Sequence, residues 1–202
     1  MNNKARIAVL VSGGGTNLQA LIDAQQSGIL TSGEITLVIS NNPSAFALER
    51  ASKAGIDTLV ISKKVLGSQE AFEQAMMDAL NQNGIDIIVL AGFMSILSER
   101  FTSAYPKRII NVHPSLIPAF CGKGFYGLRV HEAALQYGVK VTGATVHFVN
   151  EVPDGGEIIL QKAVKILKND TPETLQKRVM RLAEWKLLPA AVEQVSAAMK
   201  GE

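Results

Sequence analysis

Two short stretches carry side chains suited to chemistry at a carbonyl. In Asn111-Val112-His113-Pro114-Ser115 an amide and an imidazole stand two residues apart, and on a strand such residues face the same side. Both side chains then converge on one reacting centre. Asn111 can stabilise a developing oxyanion, and His113 can exchange protons with a nucleophile or leaving group. The plainer alternative is a histidine satisfied by a backbone carbonyl near a turn. Asp154-Gly155-Gly156 adds a carboxylate that can orient an imidazole and favour its charged form, although Asp-Gly by itself marks a hairpin turn.

A third stretch, Ser12-Gly13-Gly14-Gly15-Thr16-Asn17, lies between an apolar run and a helical pattern. Its glycines let backbone N–H groups approach an anion, and the start of the following helix adds partial positive charge. Leu18 occupies the third glycine position of the dinucleotide fingerprint and no P-loop lysine follows. The loop therefore suits a lone phosphate rather than NAD or ATP; a tight turn with Thr16 or Asn17 as helix cap is the alternative. Among the other reactive types, His147 alternates with Val146 and Phe148 as a core residue or a support to the site. His131 opens a helix and reads as solvated, and Cys121 has no neighbour that would lower its pKa. Three scattered histidines without a Cys-x-x-Cys predict no metal site.

Short β-branched runs alternating with helical patterns must position these groups, which predicts an α/β fold with a mostly parallel twisted sheet and flanking helices. Strands are expected at 5–11, 34–40, 57–61, 86–90 and 108–112, with helices at 17–26, 46–54 and 70–82. The ends of the fourth and fifth strands then deliver residues to the carboxyl edge of the sheet, where ligands bind in such folds. Residues 114–129 should form a long glycine-rich loop. Strands at 141–149 and 158–166 flank the Asp154 turn, and a terminal helix over 173–199 is expected to break at Pro189. The result is one domain over 1–202, with a Rossmann-like nucleotide-phosphate half at about 1–110 and a catalytic half at about 111–202.

Composition agrees with a globular chain: 202 residues, 47% hydrophobic, 19% charged, with Lys+Arg 20 against Asp+Glu 18. That length supports a core burying roughly 70% of the unfolded surface. No charge block points to nucleic acid or a membrane surface. The apolar stretch at 87–94 is far short of the ~20 residues a spanning helix needs, and 7–11 is too short for a signal peptide. A single cysteine fits the reducing cytoplasm.

Val-Ser-Gly-Gly-Gly-Thr-Asn-Leu-Gln-Ala at 11–20, Leu-Ala-Gly-Phe-Met at 90–94, Ile-Asn-Val-His-Pro-Ser-Leu-Ile-Pro at 110–118, and Thr-Val-His-Phe-Val at 145–149 before Asp154 resemble the phosphoribosylglycinamide formyltransferases. These are folate-dependent enzymes of purine synthesis, and the resemblance covers nearly the whole chain. It implies the formyltransferase fold and transfer of a formyl group from 10-formyltetrahydrofolate to the amine of glycinamide ribonucleotide. The family's catalytic Asn-x-His falls on Asn111 and His113, and its Asp before two glycines on Asp154. Its phosphate loop falls on Gly15, Thr16 and Asn17. Its folate-binding strand end falls on Met94, Ser95, Ile96 and Leu97, with Asn111 also facing folate. Glu184 resembles the family's substrate-binding glutamate, with Trp185 where a histidine is common. Ser95 and Gln69 stand where many or some members have a basic residue; the contacts at Ser95 are largely backbone, and Lys63 or Lys64 lies near Gln69.

The implied partners are these two small molecules, with no nucleic acid and no membrane, in a monomer or homodimer. Within the same fold, a deformylase or a formyltransferase acting on charged tRNA or a nucleotide sugar is the alternative. The span from residue 5 to about 199 weighs against the extra domains that the resembling deformylases and tRNA enzymes carry. A non-catalytic sensor of a phosphorylated metabolite is the other class, and it leaves Asn111, His113 and Asp154 without a purpose.

Overall fold

The structure is a computed structural model that describes residues 4–201. Seven strands, β1 (Ala5–Val11), β2 (Gly33–Ser40), β3 (Asp57–Val60), β4 (Ile87–Leu90), β5 (Ile109–His113), β6 (Val141–Phe148) and β7 (Ile158–Lys165), form one sheet. Their order is β3-β2-β1-β4-β5-β6-β7. The first five strands are parallel, β6 runs antiparallel to β5, and β7 runs antiparallel to β6. The chain moves outward from β1 to β2 and β3, then returns to add β4 on the other side of β1. That reversal opens a crevice at the carboxyl ends of β1 and β4, where an open α/β sheet binds ligands.

Alternation along β1 explains why both sheet faces are covered. Ala5, Ile7, Val9 and Val11 pack into one core with Leu18, Leu21 and Ile22 of α1 (Thr16–Gln26) and Leu188 and Val192 of α8 (Trp185–Lys200). Ala8 and Leu10 enter a second core with Phe72, Met76 and Leu80 of α4 (Gln69–Gln82) and Phe101 of α5 (Glu99–Ala104). Such period-two division is what a strand buried on both faces requires. The remaining helices are α2 (Phe46–Lys53), α3 (Lys63–Leu66), α6 (Leu128–Tyr137) and α7 (Pro172–Val179), and a π turn at Met180–Glu184 links α7 to α8. Among the described residues no helix is long and apolar enough to cross a membrane.

The expected strands and first three helices form within one or two residues of their predicted bounds. Two short helices, α3 and α5, go unpredicted because four and six residues are too few to display a helical period. The terminal segment corrects another expectation. Pro189 lies inside α8, and the irregularity is the π turn upstream of it. The residue whose carbonyl a proline at 189 would crowd is Trp185, which sits at the seam between the π turn and α8, so the break falls there. His131 is also corrected: it is fully buried on the inner face of α6 with Val130 and Ala134, not solvated.

Candidate active site

Loop geometry at the end of β1 leaves donors for an anion. Helices α4 and α5 are capped by Ser68 and Ser98, whose hydroxyls accept from Ala71 and Phe101 N–H groups. Helix α1 instead begins at Gly15, which caps it with no side-chain hydrogen bond. Its first N–H groups are thus left to solvent or a ligand. Gly15 has φ +71, and a Cβ there would lie 2.6 Å from Ala47 Cβ, so only glycine lets this turn rest on α2. Arg50 reaches from α2 to donate Nε–H to the Gly14 carbonyl at 2.8 Å, bringing a positive charge to the same loop. Asn17 turns inward, and its amide donates to Glu184 Oε2 at 2.9 Å. Burial pushes the Glu184 carboxyl up to about 7 against the opposing pull of that amide.

The second half of the site is assembled across the antiparallel pair β5–β6. Asn111 and His113 share the face of β5 that starts with buried Ile109, and they lie directly opposite His147 and Thr145. Backbone carbonyls only accept, so the 2.8 Å contact to the Phe148 carbonyl places a proton on His147 Nδ1. His147 Nε2 then meets the Asn111 amide nitrogen at 3.2 Å and Asp154 Oδ1 at 3.7 Å. Thr145 accepts from the Ile117 N–H and donates to the Ser115 carbonyl, which fixes the chain leaving His113.

Asp154 closes the arrangement from the β6–β7 connection. Its φ of 56 is in the left-handed region that aspartate tolerates, and a Cβ at Gly156 would lie 1.8 Å from the Phe148 carbonyl oxygen. The two glycines thus let the turn fold tightly back on β6 and aim the carboxylate at the strand ends. Oδ2 lies 3.5 Å from His113 Nδ1 and accepts the Gly122 N–H at 2.8 Å. Burial alone would raise this carboxyl, but the polar contacts around it, from the His147 and His113 imidazoles and the Gly122 N–H, hold it below its usual value. His113 Nε2 donates to the Phe120 carbonyl at 2.9 Å.

Two clefts meet at these side chains. The larger, of about 770 Å³, is lined by Asn17 and Glu184, by Met94, Ser95 and Ile96, and by Asn111, His113 and Asp154. The smaller, of about 150 Å³, is lined by Leu90, Leu97, Val149 and the Ser95–Ile96 segment, and it also touches Asn111, His147 and Asp154. The predicted residues therefore gather with three distinctions. Gly15 and Thr16 lie outside the larger cleft, and Thr16 faces a separate groove beside Trp185. Leu97 is mostly core and reaches only the smaller cleft. Gln69 donates to Glu73 and to the Ile96 carbonyl, tying the Met94–Leu97 segment to α4.

Sequence reasoning did not single out Arg50 or the Phe120 carbonyl, and it left His147 undecided between core and support. Its pairing with Asn111 depends on strand register, for which the alternation of 141–149 was the available signal. Cys121 donates to the Pro118 carbonyl, and burial with the Asp154 charge pushes its thiol up, so it has no nucleophilic role here.

An α/β sheet with paired clefts at its carboxyl edge, floored by amide, imidazole and carboxylate, defines a group-transfer enzyme. Residues 5–192 match the formyl transferase family, and the chain belongs to it. It is 40% identical over 188 residues to the phosphoribosylglycinamide formyltransferase of Haemophilus influenzae, covering 93% of this chain and 85% of that one. It is 47% identical over 194 residues to the trifunctional purine biosynthetic protein adenosine-3 of Homo sapiens, matching 96% of this chain but spanning 18% of that protein. Among solved structures, glycinamide ribonucleotide transformylase 1 from Symbiobacterium toebii is 41% identical with a TM-score of 0.90, covering 98% of this chain and 90% of that one. The phosphoribosylglycinamide formyltransferase of Brucella melitensis is 43% identical with a TM-score of 0.87 and 96% coverage of each chain.

Proposed function

We propose that this formyltransferase moves the formyl group of 10-formyltetrahydrofolate to the amine of 5-phosphoribosylglycinamide, giving formylglycinamide ribonucleotide and tetrahydrofolate in de novo purine biosynthesis in the cytoplasm. One observation carries the reading: two adjoining clefts share Asn111 and Asp154 at their junction, as transfer between two bound molecules demands. The names of the relatives give the acceptor and the formyl group, and the motif resemblance implies the folate donor.

The α1 N-terminus with Gly15, Thr16 and Asn17 takes the phosphate, and Glu184 faces the ribosyl part. The apolar small cleft with the Met94–Leu97 backbone takes the folate ring. The neutral amine attacks the formyl carbon, a C–N bond forms, and the carbonyl electron pair moves onto oxygen. Asn111, whose amide is aimed by His147 Nε2, donates to that oxyanion. His113 in its charged form donates Nε2–H, for which the Phe120 carbonyl must yield its place. Asp154 balances the imidazolium charge through Nδ1. When the C–O double bond re-forms, the bond to the folate nitrogen breaks; that nitrogen takes a proton and the attacking amine loses one.

The test is tetrahydrofolate formation from 10-formyltetrahydrofolate with and without the ribonucleotide, in wild type and His113→Ala. Turnover that requires the amine and collapses in the variant supports the reading. Formate release without amine assigns a deformylase, and the absence of any turnover returns the chain to another formyl acceptor or to a sensor.

A further inference from the structure

The transfer chemistry leaves three buried polar atoms unexplained on residues that line the larger cleft. Neither ring nitrogen of His131 has a hydrogen-bond partner, although the residue is 0% exposed. Asn17 Oδ1 is likewise buried without a partner, its amide nitrogen being spent on Glu184. Both side chains line the cleft together with Gln176, Met180 and Glu184. An unpaired buried donor or acceptor bears its full desolvation penalty. Three of them around one cleft are a cost that a ligand of matching polarity removes. The fold itself has no use for the imidazole: its neighbours on the inner face of α6 are Val130 and Ala134, and an apolar side chain would satisfy that packing.

We propose that His131 is a binding residue for the ribonucleotide acceptor, hydrogen-bonding an uncharged hydroxyl or amide of its ribosyl-glycinamide portion, directly or through one trapped water. This rests on the transfer reaction proposed above. The position favours the acceptor over the folate ring, because His131 lines the larger cleft, which Asn17 and Glu184 also line, and not the smaller one. The chemistry selects a neutral group rather than the phosphate. Burial, then the charge of His113, pushes the His131 imidazole down to about 4, so near neutral pH it offers one N–H and one lone pair but no charge. Asn17 Oδ1, on the same cleft, can only accept, which suits a hydroxyl or amide donor.

Isothermal titration with glycinamide ribonucleotide, paired with steady-state kinetics and thermal melting, tests this in wild type, H131F, H131L and H131Q. Phenylalanine keeps the ring volume and removes both nitrogens. We expect its Kd and KM for the ribonucleotide to rise about tenfold to a hundredfold, the range for one or two lost hydrogen bonds. KM for 10-formyltetrahydrofolate should stay within about twofold, and the melting temperature should hold or rise because the orphaned nitrogens are gone. If phenylalanine is not accommodated, H131L is judged on the same criteria. H131Q, which restores a donor and an acceptor, should recover part of the affinity. Unchanged ribonucleotide affinity in the folded apolar variants, with a lowered melting temperature, would assign His131 to packing and overturn the inference alone. A wild type that does not bind the ribonucleotide at all overturns the transfer reading, and the inference with it.

Discussion

Asn111 has one amide hydrogen committed to His147, which leaves the other for the proposed oxyanion contact. Asn111→Ala is therefore expected to lower kcat about 10²–10³-fold with little change in melting temperature; a KM effect with kcat intact would sink the oxyanion role. The two carboxylates of the site respond to pH in opposite senses. Glu184 has a folded pKa raised from 4.5 to about 7, so its contribution to stability is complete below 4.5 and is lost as pH rises through about 7. Compared with Glu184→Gln, which keeps an acceptor for the Asn17 amide, wild type should lose on the order of 3 kcal/mol across that window. Parallel urea denaturation curves for the two proteins between pH 4.5 and 7 would refute this. Asp154 has a lowered folded pKa, so its contribution is present above 3.8 and is lost as pH falls through its depressed value. The stability gap between wild type and Asp154→Asn should accordingly close in acid, which melting below pH 3.8 would check.

At the scale of elements, the site depends on turns that bring strand ends and helix starts into contact. Gly15→Ala would force a Cβ to 2.6 Å from Ala47 at a positive φ, separating α1 from α2. A loss of about 1–3 kcal/mol is expected by urea unfolding, together with a raised KM for the ribonucleotide and an unchanged KM for the folate. An equal effect on both substrates would place the loop elsewhere in the mechanism. The same logic applies to Gly156, whose closeness to the Phe148 carbonyl fixes where Asp154 points. Strand alternation made β1, β4 and β5 readable, because residues buried on both faces form apolar runs that only a central strand explains. The π turn was not readable at its true place, since a proline disturbs the carbonyl one turn upstream of itself and the segment was expected to break at Pro189.

For the molecule as a whole, two cores on opposite sheet faces hold the carboxyl edge in place, and one of them lends Leu90 and Leu97 to the smaller cleft. Phe72 is fully buried in the core under α4, and Phe72→Ala is expected to cost about 3–5 kcal/mol. Below its melting temperature the variant should keep both KM values; a selective loss of folate binding would mean that α4 positions the site directly. The shared edge of two clefts is a property of this assembled sheet, since Asn17, Asn111, Asp154 and Glu184 come from segments up to 167 positions apart.

The sequence by itself determined the α/β class, the strand ends that carry Asn111 and His113, the phosphate-suited loop and the turn at Asp154. Each of these is local: a period, a glycine run or a two-residue spacing is enough to read it. Tertiary structure alone decided that His147 aims Asn111, that Arg50 closes on the glycine loop, and that His131 is buried against the cleft. Those relations depend on cross-strand register and helix packing, which join residues distant in the chain and leave no periodic trace in it.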